Sequence, residues 1–475
     1  MDRVFGEKNI PTILVIFGAT GDLSRRKLLP ALFDLHENDL LPDMTKIVGI
    51  ARRELSDDDY RVFVKQQIEK DRGKEYNKEN MDKFLSRICY HSGDFGVPEN
   101  YKKLSEKLIS IEDSFGVCSN KLFYLSVSPA YYDIIFKELA NSGLTIPCNS
   151  KDGWTRVLVE KPFGEDIKTA KELDKMLGLL FKEEQIFRID HYLGKETLQD
   201  ILMFRFSNLI FEPIWSNRYI EKVELILNED IDINGRGSFY DKIGALRDIG
   251  QNHILQMLAF VAMDNPKEFT AEAIRKNRAS VVEKLKKISK HDLQNQVFRG
   301  QYSGYKEEEG VSPDSKTETY FKIKAFIDSE RWKDVPFILE SGKALGEKRA
   351  EINVHFKKME ACLCPEGMEQ SHSNVLTFRI QPDAGISILF WVKKPGVEMQ
   401  LEPKKLSFSY KDENSKRITA YERILFDAII GDQTSFTSTE EVSAAWEFIT
   451  PILENWENLE LCEYEKGASK IDTQL

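Results

Sequence analysis

A glycine turn that directly follows an apolar run constrains the fold of this chain more than any other feature. Residues 12–17 read TILVIF, a run rich in β-branched residues that is typical of a strand buried on both faces. Gly18 and Gly21 follow it and precede a stretch that is compatible with a helix. A buried strand, a glycine turn and a helix make up the first half of a βαβ unit, so the pattern predicts a parallel sheet.

Three further apolar runs extend this pattern along the first part of the chain. They are separated by helix-compatible sequence and occupy residues 46–50, 122–127 and 156–160. The alternation predicts an α/β domain with a parallel sheet over residues 1–190. Ligands of such sheets bind beyond the carboxyl ends of the strands, so the residues just after each run are candidates for a site.

The remaining part, residues 191–475, has a different pattern. Several of its strand-like runs alternate apolar and polar residues, as a sheet with one buried face would. The predicted strands cover 223–227, 337–339, 353–356, 375–380 and 386–391, and the predicted helices cover 249–263, about 270–289 and about 438–456. The prediction is a larger α+β domain with a mainly antiparallel sheet.

Composition excludes several classes of function. The chain has 475 residues and carries 67 Lys and Arg against 78 Asp and Glu, a net charge of −11. This balance argues against nucleic acid as a partner. No run approaches the roughly 18 apolar residues of a membrane span, so no membrane partner is expected. The first residues lack the pattern of a secretory signal, and the six cysteines show no framework spacing, which together predict reduced thiols in the cytoplasm.

One cysteine pair invites a metal-site interpretation. Cys362 and Cys364 have His355 and His372 nearby in the sequence. Zinc sites usually have two residues between paired cysteines, whereas here there is one. We therefore expect no metal site.

The turn after the first strand is a candidate phosphate site. Glycines at a strand-to-helix turn let the backbone approach a phosphate, whose charge the helix N-terminus favours. The spacing over Gly18–Arg25 is G-x-x-G, shorter than the full dinucleotide fingerprint, so a turn without a ligand is an equal alternative. Its place after the first buried strand favours the functional interpretation.

The end of the second strand bears on the choice of coenzyme. An acidic residue there commonly binds the ribose hydroxyls of NAD. This chain instead has Arg52 and Arg53, whose guanidinium groups suit a 2′-phosphate. Two solvated surface arginines are the alternative, and their position at the strand end favours NADP.

Two polar clusters follow later strands. Glu160–Gly164 (EKPFG) places Lys161 at the carboxyl edge of the predicted sheet. Arg188–Lys195 (RIDHYLGK) gathers an acid, an imidazole, a phenol and two cations within eight residues. His191, Tyr192 and Lys195 could hold a phosphate there, whereas a structural loop with a satisfied Asp-His pair is the alternative.

A histidine on an apolar helix is the candidate base. Residues 235–253 end in His253, and the following residues are apolar almost all round, so the helix is predicted to be buried. A buried neutral imidazole with one carboxylate partner is suited to act as a general base near pH 7. Asp248 and Asp190 are the candidate partners, and a structural core histidine is the alternative.

Together these stretches resemble the glucose-6-phosphate dehydrogenase family. They run in the family's order and leave no large part of the chain unaccounted for, and RIDHYLGKE is highly specific. The matching stretches are GATGDLSRRKLLPALFDL (18–35), VGIAR (48–52), EKPFG (160–164), RIDHYLGKE (188–196), GRGSFYDKIGALRDIGQNHILQMLAFVAM (235–263) and VPFILESGKAL (335–345).

The resemblance implies a Rossmann-like NADP-binding domain and a β+α domain that binds substrate and mediates dimerisation through its large sheet. It implies oxidation of β-D-glucose 6-phosphate to 6-phosphoglucono-δ-lactone with reduction of NADP, the first step of the oxidative pentose phosphate pathway. A homodimer or homotetramer is expected.

The resemblance also implies roles for individual residues. His253 matches the proton acceptor, Asp190 its orienting carboxylate, and Lys161 the lysine between coenzyme and sugar. His191, Tyr192 and Lys195 match the phosphate site. Sugar contacts match Glu229, Asp248 and Lys343, with Lys348 at the place of a second basic residue. Coenzyme contacts match Gly18, Ala19, Thr20, Gly21, Asp22, Leu23, Ser24, Arg25, Arg52, Tyr124 and Lys161, to which the strand-end argument adds Arg53.

One departure from the family pattern concerns a second, structural NADP. Members that carry it have a basic residue where this chain has Glu340, so none is expected here. Two rival functions remain open at this point: a dehydrogenase that prefers another sugar, and a catalytically inactive NADP-binding regulator. Use of NAD as well as NADP is also open.

Overall fold

The computed structural model describes residues 11–73, 76–147, 153–359, 372–410 and 418–473, which form two compact units. The first unit contains the described residues of Met1–Gly164, Lys168–Gly194 and Arg417–Thr439. The second contains those of Glu165–Ile167, Lys195–Lys416 and Glu440–Leu475. Among the helices of the described residues, none combines the length and the apolar character that crossing a membrane requires.

The first unit contains a seven-stranded sheet in the order β15-β6-β5-β4-β1-β2-β3. All neighbours pair in parallel except β15, which runs antiparallel to β6. With strands numbered along the whole chain, the bounds are β1 (Thr12–Phe17), β2 (Thr45–Ala51), β3 (Ile88–Ser92), β4 (Asn120–Leu125), β5 (Thr155–Glu160), β6 (Ile186–Ile189) and β15 (Phe436–Thr437).

Helices connect these strands and contribute to the core of the unit. A π-helical turn, Ser24–Leu28, continues directly into the first α-helix. The α-helices are α1 (Leu29–Glu37), α2 (Asp57–Arg72), α3 (Lys78–Ser86), α4 (Pro98–Phe115), α5 (Tyr132–Asn141), α6 (Ile167–Leu180) and α12 (Ala420–Ile430), and the 3₁₀ turns are Pro129–Tyr131 and Glu183–Gln185. Leu14 and Ile16 of β1 pack with Leu32 of α1 in a core of fully buried side chains.

A segment from late in the chain completes the first unit. β15 extends the sheet at β6, where Phe436 pairs with Ile189. Arg156 on β5 donates hydrogen bonds of 2.8 Å to the carbonyls of Ala428 and Ile429 in α12. The compact unit therefore differs from the predicted continuous domain 1–190, because the free edge of β6 is paired by residues far away in the sequence.

The second unit contains a nine-stranded sheet in the order β14-β13-β12-β11-β7-β10-β9-β8-β16. The β7–β10 and β8–β16 pairs are parallel and the others antiparallel, as predicted for this part of the chain. The bounds are β7 (Ile220–Asn228), β8 (Val297–Tyr302), β9 (Tyr320–Ala325), β10 (Phe337–Gly342), β11 (Arg349–Phe356), β12 (Val375–Gln381), β13 (Gly385–Lys393), β14 (Leu401–Ser409) and β16 (Leu461–Tyr464).

The predicted helix over 249–263 is present in two parts. A π-helical segment, Leu246–Ile254, leads into α9 (Leu255–Ala262), and every residue of α9 is buried. The other helices of this unit are α7 (Glu196–Phe206), α8 (Gly237–Tyr240), α10 (Ala271–Glu283), α11 (Leu293–Gln296) and α13 (Thr439–Glu454), with 3₁₀ turns at Glu212–Ile214, Tyr305–Glu307, Glu330–Trp332 and Trp456–Asn458.

The cysteines depart in part from the expectation of reduced thiols. Cys118 is disulfide-bonded, so the expectation is wrong for this residue, because spacing in the sequence does not show which thiols the fold brings close. Cys89 and Cys462 are free. Cys362 and Cys364, considered above as metal ligands, lie outside the described residues.

Candidate active site

The turn after β1 is tight and requires glycine. Gly18 has φ +79°, and a Cβ added there would lie 2.2 Å from the carbonyl oxygen of Ser126. The amide of Gly21 donates to the Gly18 carbonyl at 2.8 Å, and the hydroxyl of Ser24 donates to the same oxygen at 3.0 Å. The chain becomes helical at Asp22, so backbone N–H groups at this N-terminus are suited to a phosphate.

The residues after β2 lie beside this turn. The amides of Gly18 and Ala19 donate to the carbonyl of Ile50 at 2.8 and 3.0 Å. Arg52 and Arg53 follow immediately after the last residue of β2, and both are exposed. The glycine turn and the two guanidinium groups therefore belong to one edge of the sheet, which fits a dinucleotide that carries an additional phosphate.

Tyr124, a predicted coenzyme contact, is buried in the first unit. Its ring is fully buried, and its hydroxyl donates to Oε1 of Glu160 at 2.6 Å. Tyr421 of α12 also hydrogen-bonds to Glu160. Burial raises the pKa of Glu160 to about 7, against the opposing effect of these hydrogen bonds and of Lys161. Sequence reasoning missed Glu160, although the EKPFG motif contains it, and Tyr421, which no local pattern distinguishes.

The loop after β6 holds Asp190 rigidly. The Asp190 side chain is 1% exposed, and its Oδ1 accepts a 2.9 Å hydrogen bond from the amide of Tyr192. The backbone carbonyl of Asp190 accepts from the amide of Leu193 at 3.0 Å. The ring of His191 stacks on that of Tyr421, with 6.3 Å between centroids and an interplanar angle of 9°. Backbone hydrogen bonds and ring stacking thus set the directions of the acid and the imidazole.

In the second unit, the π-helical segment carries two of the predicted residues. Asp248 is half-buried and His253 is 1% exposed. A π-helix forms backbone hydrogen bonds between residues five apart, and Asp248 and His253 have this separation. Such segments are frequent at functional sites. The amide of His253 donates to Oδ1 of Asn252 at 2.6 Å.

Three of the predicted sugar contacts surround Tyr240. The ammonium group of Lys343 forms an ion pair with Glu229 and lies 5.2 Å from the centroid of the Tyr240 ring. Burial, together with the charges of Asp248 and Glu318, raises the pKa of Tyr240 well above its ordinary value. The structure therefore pairs Glu229 with Lys343 and places both Lys343 and the charge of Asp248 near Tyr240.

Two further predicted substrate contacts, Lys195 and Lys348, also belong to the second unit. Lys195 precedes α7, and its ammonium group lies 3.5 Å from Oε1 of Gln381. Lys348 is exposed. Glu340, which suggested that a second NADP is absent, forms a 3.3 Å ion pair with Lys322. The predicted residues thus form two groups, one in each unit.

A parallel sheet with a glycine turn after its first strand is typical of NAD(P)-dependent dehydrogenases, and the second unit adds a buried histidine that could act as a base. Comparisons with known proteins identify the family. The family model "Glucose-6-phosphate dehydrogenase, NAD binding domain" matches residues 15–200, and "Glucose-6-phosphate dehydrogenase, C-terminal domain" matches residues 202–473. The chain belongs to the glucose-6-phosphate dehydrogenase family.

Individual relatives agree with this family. The chain is 40% identical to glucose-6-phosphate 1-dehydrogenase of Borreliella burgdorferi, covering 97% of this chain and 96% of the relative. It is 41% identical to that of Chlamydia muridarum, covering 94% and 91%. A solved structure of glucose-6-phosphate dehydrogenase in complex with its substrate glucose 6-phosphate has a TM-score of 0.90 and 34% identity, covering 98% of this chain and 96% of that one.

The chain is therefore an oxidoreductase that oxidises glucose 6-phosphate with NADP, as the resemblance predicted. This reaction is the first step of the oxidative pentose phosphate pathway. The rival interpretations, a dehydrogenase for another sugar and an inactive regulator, are not favoured by these relatives.

Proposed function

We propose that His253 is the general base that removes the proton of the anomeric hydroxyl of glucose 6-phosphate. The observation that carries the proposal is the burial of His253 in a π-helical segment that also holds Asp248. Histidine is the side chain whose ordinary pKa lies nearest physiological pH, and its neutral imidazole is the form that accepts a proton.

Asp190 is the proposed orienting carboxylate of His253. Its buried carboxylate has one oxygen bound to the amide of Tyr192, so it has little freedom to turn. A fixed carboxylate sets the tautomer of a neighbouring imidazole and stabilises the imidazolium that forms when the ring accepts a proton.

The reaction couples loss of a proton from the hydroxyl oxygen on carbon 1 with loss of a hydride from carbon 1 itself. As the hydroxyl at carbon 1 loses its proton to His253, the hydrogen on carbon 1 leaves as hydride, and a carbon–oxygen double bond forms. Bound along Gly18–Arg25, NADP would supply the hydride acceptor for this step. General-base assistance of this kind contributes about 10²–10⁴-fold to the rate.

The substrate phosphate is proposed to bind His191, Tyr192 and Lys195. His191 and Lys195 can carry positive charge and Tyr192 can donate a hydrogen bond, so the three side chains suit a phosphate dianion. Holding the phosphate end of the sugar aligns carbon 1, at the other end, with the base. The proposed sugar contacts are Glu229, Asp248, Lys343 and Lys348, and Lys161 is proposed to lie between sugar and coenzyme.

The coenzyme is proposed to bind along Gly18–Arg25, with Arg52 and Arg53 at the 2′-phosphate. Glycine at position 18 supports this, because it lets the turn close against Ser126 and lead into the helix that begins at Asp22, whose N-terminal N–H groups suit a pyrophosphate. Tyr124 is proposed to support the coenzyme site through its hydrogen bond to Glu160.

A homodimer formed through the large sheet is also proposed. On β13 and β14, one face presents Phe390, Val392, Leu406 and Phe408, which are 38%, 38%, 65% and 44% exposed. Apolar side chains grouped on the outer strands of a sheet favour association with another copy.

A cytoplasmic location is proposed because both substrate and coenzyme are cytoplasmic metabolites.

The test of the proposed base is NADP reduction with glucose 6-phosphate, followed by absorbance of the reduced coenzyme. His253→Asn and Asp190→Asn should each fold and lower kcat by about 10²–10⁴-fold. His291→Asn, at an exposed histidine, is the matched control and should keep wild-type activity. A folded His253→Asn variant with wild-type kcat would refute the assignment.

A further inference from the structure

Glu318 is a buried carboxylate attached to the segment that carries His253. It is 2% exposed and lies two residues before β9. Its Oε1 accepts a 2.9 Å hydrogen bond from the amide of Leu246, the first residue of the π-helical segment. Its Oε2 accepts a 3.0 Å hydrogen bond from Nε1 of Trp456. One side chain thus joins the start of this segment to an indole near the C-terminus.

Backbone hydrogen bonds add two further connections at the same place. The carbonyl of Glu318 accepts from the amide of Ala245 at 3.1 Å. The carbonyl of the next residue, Thr319, accepts from the amide of Lys343 at 3.0 Å. The pair Glu318–Thr319 is therefore bonded to the π-helical segment on one side and to Lys343 on the other.

The turn before the segment approaches the carboxylate closely. Gly244 has φ +74°, and a Cβ added there would lie 2.5 Å from Oε1 of Glu318. Position 244 therefore accommodates glycine alone while the Glu318 carboxylate keeps its place.

Stability alone does not account for a carboxylate at this position. Burial disfavours its charged form and raises the pKa of Glu318. Replacing buried charged groups by apolar ones of similar volume is often neutral or stabilising. What a carboxylate supplies and an apolar side chain cannot is two acceptors, which here hold the amide of Leu246 and the indole of Trp456 in fixed directions.

We propose that Glu318 is a positioning residue for the reaction, which holds the start of the π-helical segment so that Asp248 and His253 keep their directions toward the sugar. The proposal rests on the proposed roles of these two residues. Because Leu246 is only two residues from Asp248, a displaced start of the segment moves the sugar contact and the base together.

Glu318→Leu tests this directly. A leucine side chain has no acceptor, so both the amide of Leu246 and the indole of Trp456 lose their hydrogen bond to this position. Misplacement of catalytic groups by about 1 Å costs about 10²-fold, and we expect kcat to fall by about 10- to 100-fold. KM for NADP should remain near the wild-type value, and the pH profile of kcat/KM should shift because the environment of His253 changes. A purely structural role would lower the melting temperature without moving that profile.

Trp456→Phe is the matched control. It removes the donor to the other oxygen of Glu318 and leaves the hydrogen bond to Leu246 in place. We expect its kcat and pH profile to stay close to those of the wild type.

Gly244→Ala changes the same contact from the side of the turn and serves if Glu318→Leu does not fold. Its Cβ would displace the Glu318 carboxylate, so a comparable loss of kcat is expected. Combined with Glu318→Leu, it should add little further loss, because both changes break the contact with Leu246. A folded variant of either kind with wild-type kcat and pH profile overturns the inference. His253→Asn separates this result from failure of the proposed function, which would require that variant to stay active.

Discussion

The hydroxyl of Tyr124 donates a 2.6 Å hydrogen bond to Oε1 of Glu160, joining neighbouring strands of the parallel sheet at its carboxyl edge. Burial raises the pKa of this carboxyl to about 7 from an ordinary value of 4.5. A group with a raised pKa binds its proton more tightly in the folded than in the unfolded chain, so unfolding releases a proton between these two values.

Glu160→Gln should therefore change how stability depends on pH. In the wild type, the Glu160 contribution falls as pH rises from about 4.5 to 7 and stays low above that range. The glutamine lacks this dependence, so the variant should gain about 1–3 kcal/mol relative to the wild type between pH 5 and pH 8. Chemical unfolding at both pH values measures the difference. Tyr124→Phe removes a hydrogen bond that favours the charged carboxylate. The loss of stability with rising pH should therefore occur at higher pH in this variant than in the wild type. A difference between Glu160→Gln and wild type that is the same at both pH values would contradict the assignment.

Gly18→Ala should abolish coenzyme binding. Its methyl group would lie 2.2 Å from the carbonyl oxygen of Ser126, and position 18 has a positive φ, so the turn must move. Titration of the purified protein with NADP measures the loss. Gly178→Ala is the matched control, because Gly178 lies exposed in α6 with no atom near an added Cβ. It should bind NADP normally and gain about 0.5–1 kcal/mol of stability. Normal NADP affinity in Gly18→Ala would contradict the proposed coenzyme site.

Arg52→Glu should change the preference between NADP and NAD. Removing a charge-assisted hydrogen bond costs about 1.5–3 kcal/mol, so KM for NADP should rise by at least about tenfold. KM for NAD, which lacks the 2′-phosphate, should change much less. Steady-state kinetics with both coenzymes checks this, and Lys83→Glu on the exposed face of α3 controls for net charge. Equal effects on both coenzymes would argue against contact with the 2′-phosphate.

Leu406→Glu should produce monomers if the apolar face of β13 and β14 forms the dimer interface. Leu406 is 65% exposed and directly opposite Ile388 in the sheet. A buried unpaired charge at an interface opposes association. Analytical ultracentrifugation gives the mass of the species in solution. Lys405→Glu changes the adjacent residue, whose side chain points to the opposite face, and should leave the mass unchanged. An unchanged mass for Leu406→Glu would place the interface elsewhere.

The sequence predicted the strands that carry strong local patterns. The run TILVIF coincides with β1, and the runs at 375–380 and 386–391 lie within β12 and β13. β14 was missed because LEPKKLSFS contains Pro403 and two lysines, which are features of an edge strand rather than of a buried one. β15 has two residues and its pairing is entirely long-range.

The candidate site likewise contains residues that local motifs predict and residues that only long-range contacts bring into place. Motifs led to the proposed roles of Asp190, His253 and Lys161, because their residue types and spacing suggest this chemistry without knowledge of the fold. Glu318 was missed because its significance depends on the amide of a residue 72 positions away. Tyr421 was missed for a similar reason, since it reaches Glu160 and His191 only through the return of the chain to the first unit.

That return has a consequence for how the protein is made. The sheet that is proposed to hold the coenzyme obtains its last strand from Phe436–Thr437, and α12 supplies Ile424 and Leu425 to its core. During synthesis, residues up to Thr437 must emerge before the last strand of this sheet can pair with β6. A gene fragment that stops at codon 190 would encode a sheet with an unpaired strand edge, which is a template for aggregation.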